Sequence, residues 1–153
     1  MKNFLKILMF IIAISGFSQN NSKKSTEFNL DNKIALEGYD AVSYFLEDKP
    51  VKGKKEITST SDGVIYNFAS EKNKTTFLKN PGKYKPQYGG WCAYAMGLDG
   101  SKVEVDPKTY KIVDGKLYLF YNKLFNNTLK TWNKDEKILM KNANSFWTEV
   151  VKK

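Results

Sequence analysis

The chain of 153 residues contains no histidine and a single cysteine, Cys92. Without histidine, neither a Ser-His-Asp nor a Cys-His catalytic arrangement can be assembled from its residues. A four-ligand Cys/His zinc site is excluded on the same count, since its nitrogen and sulfur donors are missing. One cysteine also rules out an internal disulfide, so an apolar core must hold the fold together. Long apolar runs are scarce as well. The run Ile7 to Ile14 is far short of the ~20 residues that a membrane-spanning helix needs.

That run has a reading of its own. Lys2 and Lys6 precede it, and Ser15, Gly16, Phe17 and Ser18 follow it. Positive charge, apolar core and small residues, in that order, are what a secretion channel and signal peptidase read. Gly16 and Ser18 sit two apart and fit the two small-residue pockets of the peptidase. This predicts cleavage between Ser18 and Gln19 and a periplasmic or secreted protein with no membrane span once the signal is gone. No cysteine lies nearby for lipid attachment.

Charge is in excess on one side, with 25 Lys and Arg against 16 Asp and Glu, a net +9. The lysines are scattered singly (Lys49, Lys52, Lys72, Lys108, Lys123) and form no dense stripe. The excess therefore reads as a solvated basic surface and not as a nucleic-acid footprint, while a protein partner stays open.

After the signal at 1–18, residues 19–34 read as a flexible tail, because 19–29 are polar and lack apolar periodicity. Residues 35–151 form one domain. Within it, 37–46 suggest a short helix. Ile57 to Thr60 and Val64 to Phe68 flank Asp62-Gly63, the pair that a tight primed hairpin turn favours. Ser70 is a fitting N-cap for a helix to about Lys79, stopped by Asn80-Pro81. Tyr110 to Val113 and Lys116 to Tyr121 flank Asp114-Gly115 in a second hairpin, whose later strand is apolar on both faces and hence central and buried. Asn133 and Glu136 read as a capping box. Ile138, Leu139, Ala143, Phe146, Trp147, Val150 and Val151 then recur at helical spacing, with Phe146 and Trp147 expected in the core. The fold class is α+β: small antiparallel hairpins packed against several short helices and a C-terminal amphipathic helix.

The segment 80–97, NPGKYKPQYGGWCAYAMG, is the most informative. Tyr84, Tyr88, Trp91 and Tyr94 fall at spacings of four, three and three. Aromatics at such spacing usually fill a core. As a ligand box, the candidates are Tyr88, Trp91 and Tyr94. Gly89-Gly90 permits backbone conformations closed to other residues and predicts a helix starting at Trp91. Cys92 then falls in the first turn, where free N–H groups and the helix dipole stabilise a thiolate, which makes it the candidate catalytic residue. Met96 follows on the same face, so Cys92 and Met96 are candidate soft metal ligands, suited to Cu(I) more than to zinc. An inert buried cysteine is the competing reading.

At these residues the chain resembles the YHS-domain family, in particular its small exported members. The likeness runs through Gly38-Tyr39-Asp40-Ala41-Val42-Ser43-Tyr44-Phe45, Tyr66-Asn67-Phe68-Ala69-Ser70, and Phe77 with Asn80-Pro81-Gly82-Lys83-Tyr84. It continues in Pro86-Gln87-Tyr88-Gly89-Gly90-Trp91-Cys92-Ala93-Tyr94-Ala95, Asp106-Pro107, Lys111-Ile112-Val113-Asp114-Gly115-Lys116-Leu117-Tyr118 and Tyr121-Asn122, and covers roughly residues 35–150. The resemblance implies a small α+β module with a treble-clef-like hairpin and helix around residues 64–84. Metal-handling members carry cysteines in that hairpin and the following helix; here Ala69 and Asn73 stand at the two positions, and the motif around Asp40 to Ser43 has none either. The exported members share the cysteine at the position of Cys92, and in related sequences that position resembles a selenocysteine site, which implies redox chemistry. The resemblance assigns no reaction.

Two functions follow as expectations. The first is a non-enzymatic exported binding module, for a soft metal such as copper or for a small ligand, centred on Tyr88–Met96. The alternative is a thiol redox protein acting through Cys92. An interaction domain without chemistry is a third reading.

Overall fold

The structure, a computed structural model, describes residues 26–152. The signal at 1–18 and the first part of the tail lie outside the described residues. The architecture is α+β as expected.

Four strands make a mixed sheet in the order β1-β2-β4-β3: β1 (Leu30–Asp31), β2 (Ile34–Ala35), β3 (Lys54–Ser61) and β4 (Val64–Phe68). The hairpin β3–β4 turns on Asp62 and Gly63, both at positive φ, as the Asp-Gly pair predicts. The expected tail at 19–34 differs in its described part. Residues 30–35 fold into β1 and β2, with Ile34 paired in parallel with Ile65 and the Ile65 N–H donating to the Lys33 carbonyl at 2.9 Å. Two-residue strands are too short to show alternation, which is why composition alone missed them.

The expected helix over 37–46 is confined to α1 (Ser43–Leu46). Leu36, Glu37 and Gly38 all take positive φ, which breaks any helix upstream. Helix α2 (Glu71–Lys79) starts where Ser70 predicts, its hydroxyl accepting from the Asn73 N–H at 3.1 Å. Helix α3 (Pro81–Tyr84) follows the Asn80-Pro81 break. Phe77 of α2 packs between Tyr66 and Phe68 of β4, ring centroids 4.7 and 5.2 Å away, and joins the hairpin to the helix.

The second hairpin, β5 (Asp106–Val113) and β6 (Lys116–Phe120), turns on Asp114-Gly115. On the open side of β6, Pro86 bridges to Leu117 and Cys92 to Leu119 in parallel. This flanking on both edges explains why Leu117 through Phe120 are all buried. A short hairpin, β7 (Asn122–Lys123) and β8 (Asn126–Asn127), leads into α5 (Thr128–Trp132). Its turn is Leu124-Phe125, at φ 51° and 66°. For residues with a Cβ this left-handed region costs roughly 1–2 kcal/mol each.

Helix α4 (Ala93–Asp99) crosses the long α6 (Glu136–Lys152) so closely that a Cβ on Gly97 would lie 2.4 Å from the Leu139 carbonyl oxygen. The seam of α6 is narrower than the sequence stripe. Leu139 and Ala143 are buried and Trp147 is half-buried, whereas Ile138, Phe146 and Val151 are exposed, which corrects the expectation for Phe146. The capping box does not form either. Glu136 is taken by the Trp132 indole N–H at 3.0 Å and by Lys111, and the Asn133 side chain accepts from Lys111. Among the described residues no helix is long and apolar enough to cross a membrane.

Candidate functional site

The segment singled out by sequence folds as a left-handed turn followed by α4. Tyr88, Gly89 and Gly90 take φ of 53°, 61° and 87°. Gly89 is required on two grounds, its backbone and its neighbours, since a Cβ there would lie 2.4 Å from the Phe28 ring. Phe28 belongs to a strap of residues 26–31 laid over the turn. The Asn29 N–H donates to the Gly89 carbonyl at 2.9 Å, and Asn29 Nδ2 to the Gly90 carbonyl at 3.2 Å. The Trp91 indole N–H reaches the Glu27 carbonyl at 2.7 Å, and Lys102 pairs with the Glu27 carboxylate.

The helix begins at Ala93 and not at Trp91, so Cys92 is its N-cap and lies outside the first turn. Its carbonyl accepts from the Met96 N–H at 3.0 Å and its own N–H donates to the Val103 carbonyl at 2.9 Å. The side chain is 0% exposed. Sγ accepts from the Tyr121 N–H at 3.4 Å and lies 3.4 Å from Thr128 Oγ1, whose hydroxyl also meets the Tyr121 carbonyl at 2.9 Å. Met96 is equally buried but packs in the cluster of Tyr88, Tyr118, Phe120 and Trp132, whereas Cys92 packs with Leu117, Leu119 and Val105. The two sulfurs thus serve different parts of the core. Among the described residues no three His, Cys, Asp or Glu side chains are grouped to hold a metal ion.

The three ring candidates also have separate surroundings. Tyr88 is buried, donates to Asn144 Oδ1 at 3.0 Å and packs on Tyr118 at 5.8 Å. Burial, helped by the neighbouring Tyr118, pushes its phenol pKa well above the ordinary value. Trp91 is tied to the strap, and Tyr94 is half-buried between the two core clusters. They do not line one box.

Open space lies beside the strap instead. A void of about 30 Å³ under Phe28, Leu36 and Tyr66 has room for little more than a water. On the other side a cleft of about 390 Å³, within the range of small-molecule sites, is walled by Asp31, Glu37, Lys52, Gly90 and Glu104 with Leu119 on its floor. Lys52 Nζ donates to the Glu37 carbonyl and stands 4.5 Å above the Tyr39 ring, so this cation is already engaged. The cleft collects carboxylates on a chain whose net charge is positive.

A second polar centre went unread as a unit in the sequence. Asp40 is fully buried, and its carboxylate accepts from the Val42 N–H at 2.8 Å, the Ala69 N–H at 2.8 Å and Asn73 Nδ2 at 2.7 Å. Buried Ser43 closes the other side, donating to the Asp40 carbonyl at 2.7 Å and accepting from the Val51 N–H at 2.9 Å. The positions that the resemblance compared with metal-binding cysteines, Ala69 and Asn73, meet at one carboxylate oxygen. Compared with known proteins, the chain matches no family model, no curated protein and no solved structure.

Proposed function

We propose that the protein is an exported, YHS-like, non-enzymatic binding module whose ligand is a small polar molecule carrying a positive group. The supporting observation is the cleft beside Gly90, lined by Asp31, Glu37 and Glu104, where Lys52 is already bonded to the Glu37 carbonyl and Glu104 meets the exposed Lys123 at 3.5 Å. A ligand amine there would gain charge-assisted hydrogen bonds, which are roughly twice as strong as neutral ones. The cleft adjoins the Tyr88–Met96 segment through Gly90, while the rings of that segment serve packing. Against the thiol alternative stands the burial of Cys92, since a reactive thiol needs a partly exposed, electropositive setting.

The test is isothermal titration of the full chain with a series of small primary amines and with matched carboxylic acids. Binding of amines, lost in a Glu37→Gln/Glu104→Gln variant of unchanged melting temperature, is expected. Equal affinity for the acids, or none for either series, would refute the reading. Export is tested separately by the intact mass of the protein recovered outside the cytoplasm. A chain still beginning at Met1 would exclude the proposed cut after Ser18.

A further inference from the structure

The turn of the β7–β8 hairpin is the least economical piece of the fold. Its two central residues are Leu124 and Phe125, 89% and 108% exposed, and both hold left-handed backbone conformations. Turns of this kind are normally built from Asn-Gly or Asp-Gly, as at Asp62-Gly63 and Asp114-Gly115, and the Asn32-Lys33 turn between β1 and β2 keeps a polar pair. Here large apolar side chains stand at strained positions and pack on nothing. The support beneath them is firm. Asn122 pairs with Asn127 and Lys123 with Asn126, Asn122 Nδ2 donates to Thr109 Oγ1 at 2.9 Å, and the Thr128 N–H donates to the Tyr121 carbonyl at 3.0 Å.

We infer that this Leu124-Phe125 tip docks into the interface of an anionic lipid bilayer. Area decides against a protein pocket as the occupant. Two such side chains offer about 300–400 Å², whereas a stable protein interface buries about 800 Å² on each partner. A bilayer needs no complementary surface and rewards each apolar group separately. Geometry and charge fit as well. The two-residue arms raise the tip by about 7 Å, comparable with the ~5–10 Å to which interfacial side chains sink. Exposed lysines flank the hairpin along the chain and at its base. Lys108 adjoins Thr109 at the hairpin base and Lys130 lies on the helix that follows; neither makes an ion pair among the described residues. Lys123 pairs with Glu104 at 3.5 Å, but both are exposed and the pair opens readily. The docking surface meets the amine cleft at one contact, the Lys123–Glu104 pair, and is therefore read at position 124 and not at Glu104.

The experiment uses the full chain with an environment-sensitive NBD label on Leu124→Cys, Cys92 being buried, and a control label on Asp114→Cys at the tip of the β5–β6 hairpin. Vesicles of phosphatidylcholine with about one-third phosphatidylglycerol are added. The expected result is a blue shift and a several-fold rise in emission at position 124, little change at 114, and a weaker response with pure phosphatidylcholine. Since the N-terminal apolar run is present in both labelled chains, it cannot produce a difference between them. A Leu124→Asn/Phe125→Gly variant should melt higher than wild type, because it relieves the strained turn. No response at 124, or an equal one at 114, overturns the inference. A lower melting temperature for the Asn-Gly variant also overturns it, by giving the two residues a structural role.

Discussion

Asn73 donates from Nδ2 to Asp40 Oδ2 at 2.7 Å across 33 residues of chain. The bond joins helix α2 to the loop before α1, and the Ala69 N–H at the end of β4 completes the junction on the same oxygen. Three N–H groups converge on one buried carboxylate, so removing the carboxylate strands them all. Asp40→Ala should cost about 3–5 kcal/mol, because it leaves three donors unpaired at about 1–3 kcal/mol each where they stay buried. Asn73→Ala removes one donor and should cost about 1–3 kcal/mol. Denaturant titration measures both, and an Asp40→Ala loss under about 1 kcal/mol would contradict this account.

How much of this was legible in advance depends on the range of each interaction. The hairpins at Asp62-Gly63 and Asp114-Gly115 and the Ser70 cap are written in two to four adjacent residues, and the structure has all three. Asp40, Ala69 and Asn73 were each singled out, but their meeting is a tertiary fact that no local pattern encodes. The failed capping box shows the same limit. Glu136 has the right spacing from Asn133, yet Lys111 from another hairpin and the Trp132 indole offer it better partners. Tyr88, Trp91 and Tyr94 fall at helical spacing in the sequence, but the positive φ values of Tyr88 and Gly89 turn the chain between them, so spacing alone does not tell where each ring lies.

Glu136 also carries a pH signature. The Lys111 hydrogen bond holds its carboxyl pKa below the ordinary value, burial opposes this, and the Trp132 N–H adds to it. A carboxylate with a lowered folded pKa contributes stability above its unfolded pKa and loses it as pH falls through the folded one. Wild type should therefore lose stability over the acid side of the normal carboxylate range, and Glu136→Gln should lose less. The group is partly solvated, so the effect is modest. Parallel pH–stability curves for the two proteins would show that the pairing contributes nothing.

The two tryptophans of the C-terminal part should separate by burial. Trp132 is 0% exposed and packs on Phe120 at 5.5 Å and Tyr118 at 6.0 Å, so Trp132→Ala should cost about 3–5 kcal/mol. Trp147 is half-buried against Phe28, at 6.1 Å, and the Gly89 turn, and its loss should cost clearly less. Equal losses in urea titration would mean that α6 is packed more deeply than described.

Gly97 tests the helix crossing directly. A Cβ there would meet backbone of Leu139, at 2.4 Å from the carbonyl oxygen, and backbone cannot step aside as a flexible side chain can. On an isolated helix Gly→Ala gains about 1 kcal/mol. At this position the clash should reverse the sign and leave a net loss of about 1–3 kcal/mol, with α4 pushed off α6. A stabilised Gly97→Ala protein, by thermal melting, would place the two helices further apart than this.

Cys92 separates a packing role from a chemical one. Its sulfur is enclosed, accepts from the Tyr121 N–H and faces the Thr128 hydroxyl, so no path leads a reagent to it without opening the contact between the segment before α4 and strand β6. Alkylation by iodoacetamide should thus be slower than that of a free thiol by orders of magnitude, and the rate should rise in step with the unfolded or opened fraction as urea is added. Cys92→Ser keeps a hydrogen-bond acceptor for Tyr121 and should retain the fold, with a loss of roughly 1–2 kcal/mol from replacing sulfur by a smaller polar atom in an apolar site. Cys92→Val supplies the bulk but leaves the Tyr121 N–H unpaired, a comparable penalty of about 1–3 kcal/mol. Rapid alkylation of the native protein, unaffected by stabilising conditions, would show that the thiol reaches solvent and would restore the redox reading over the packing one.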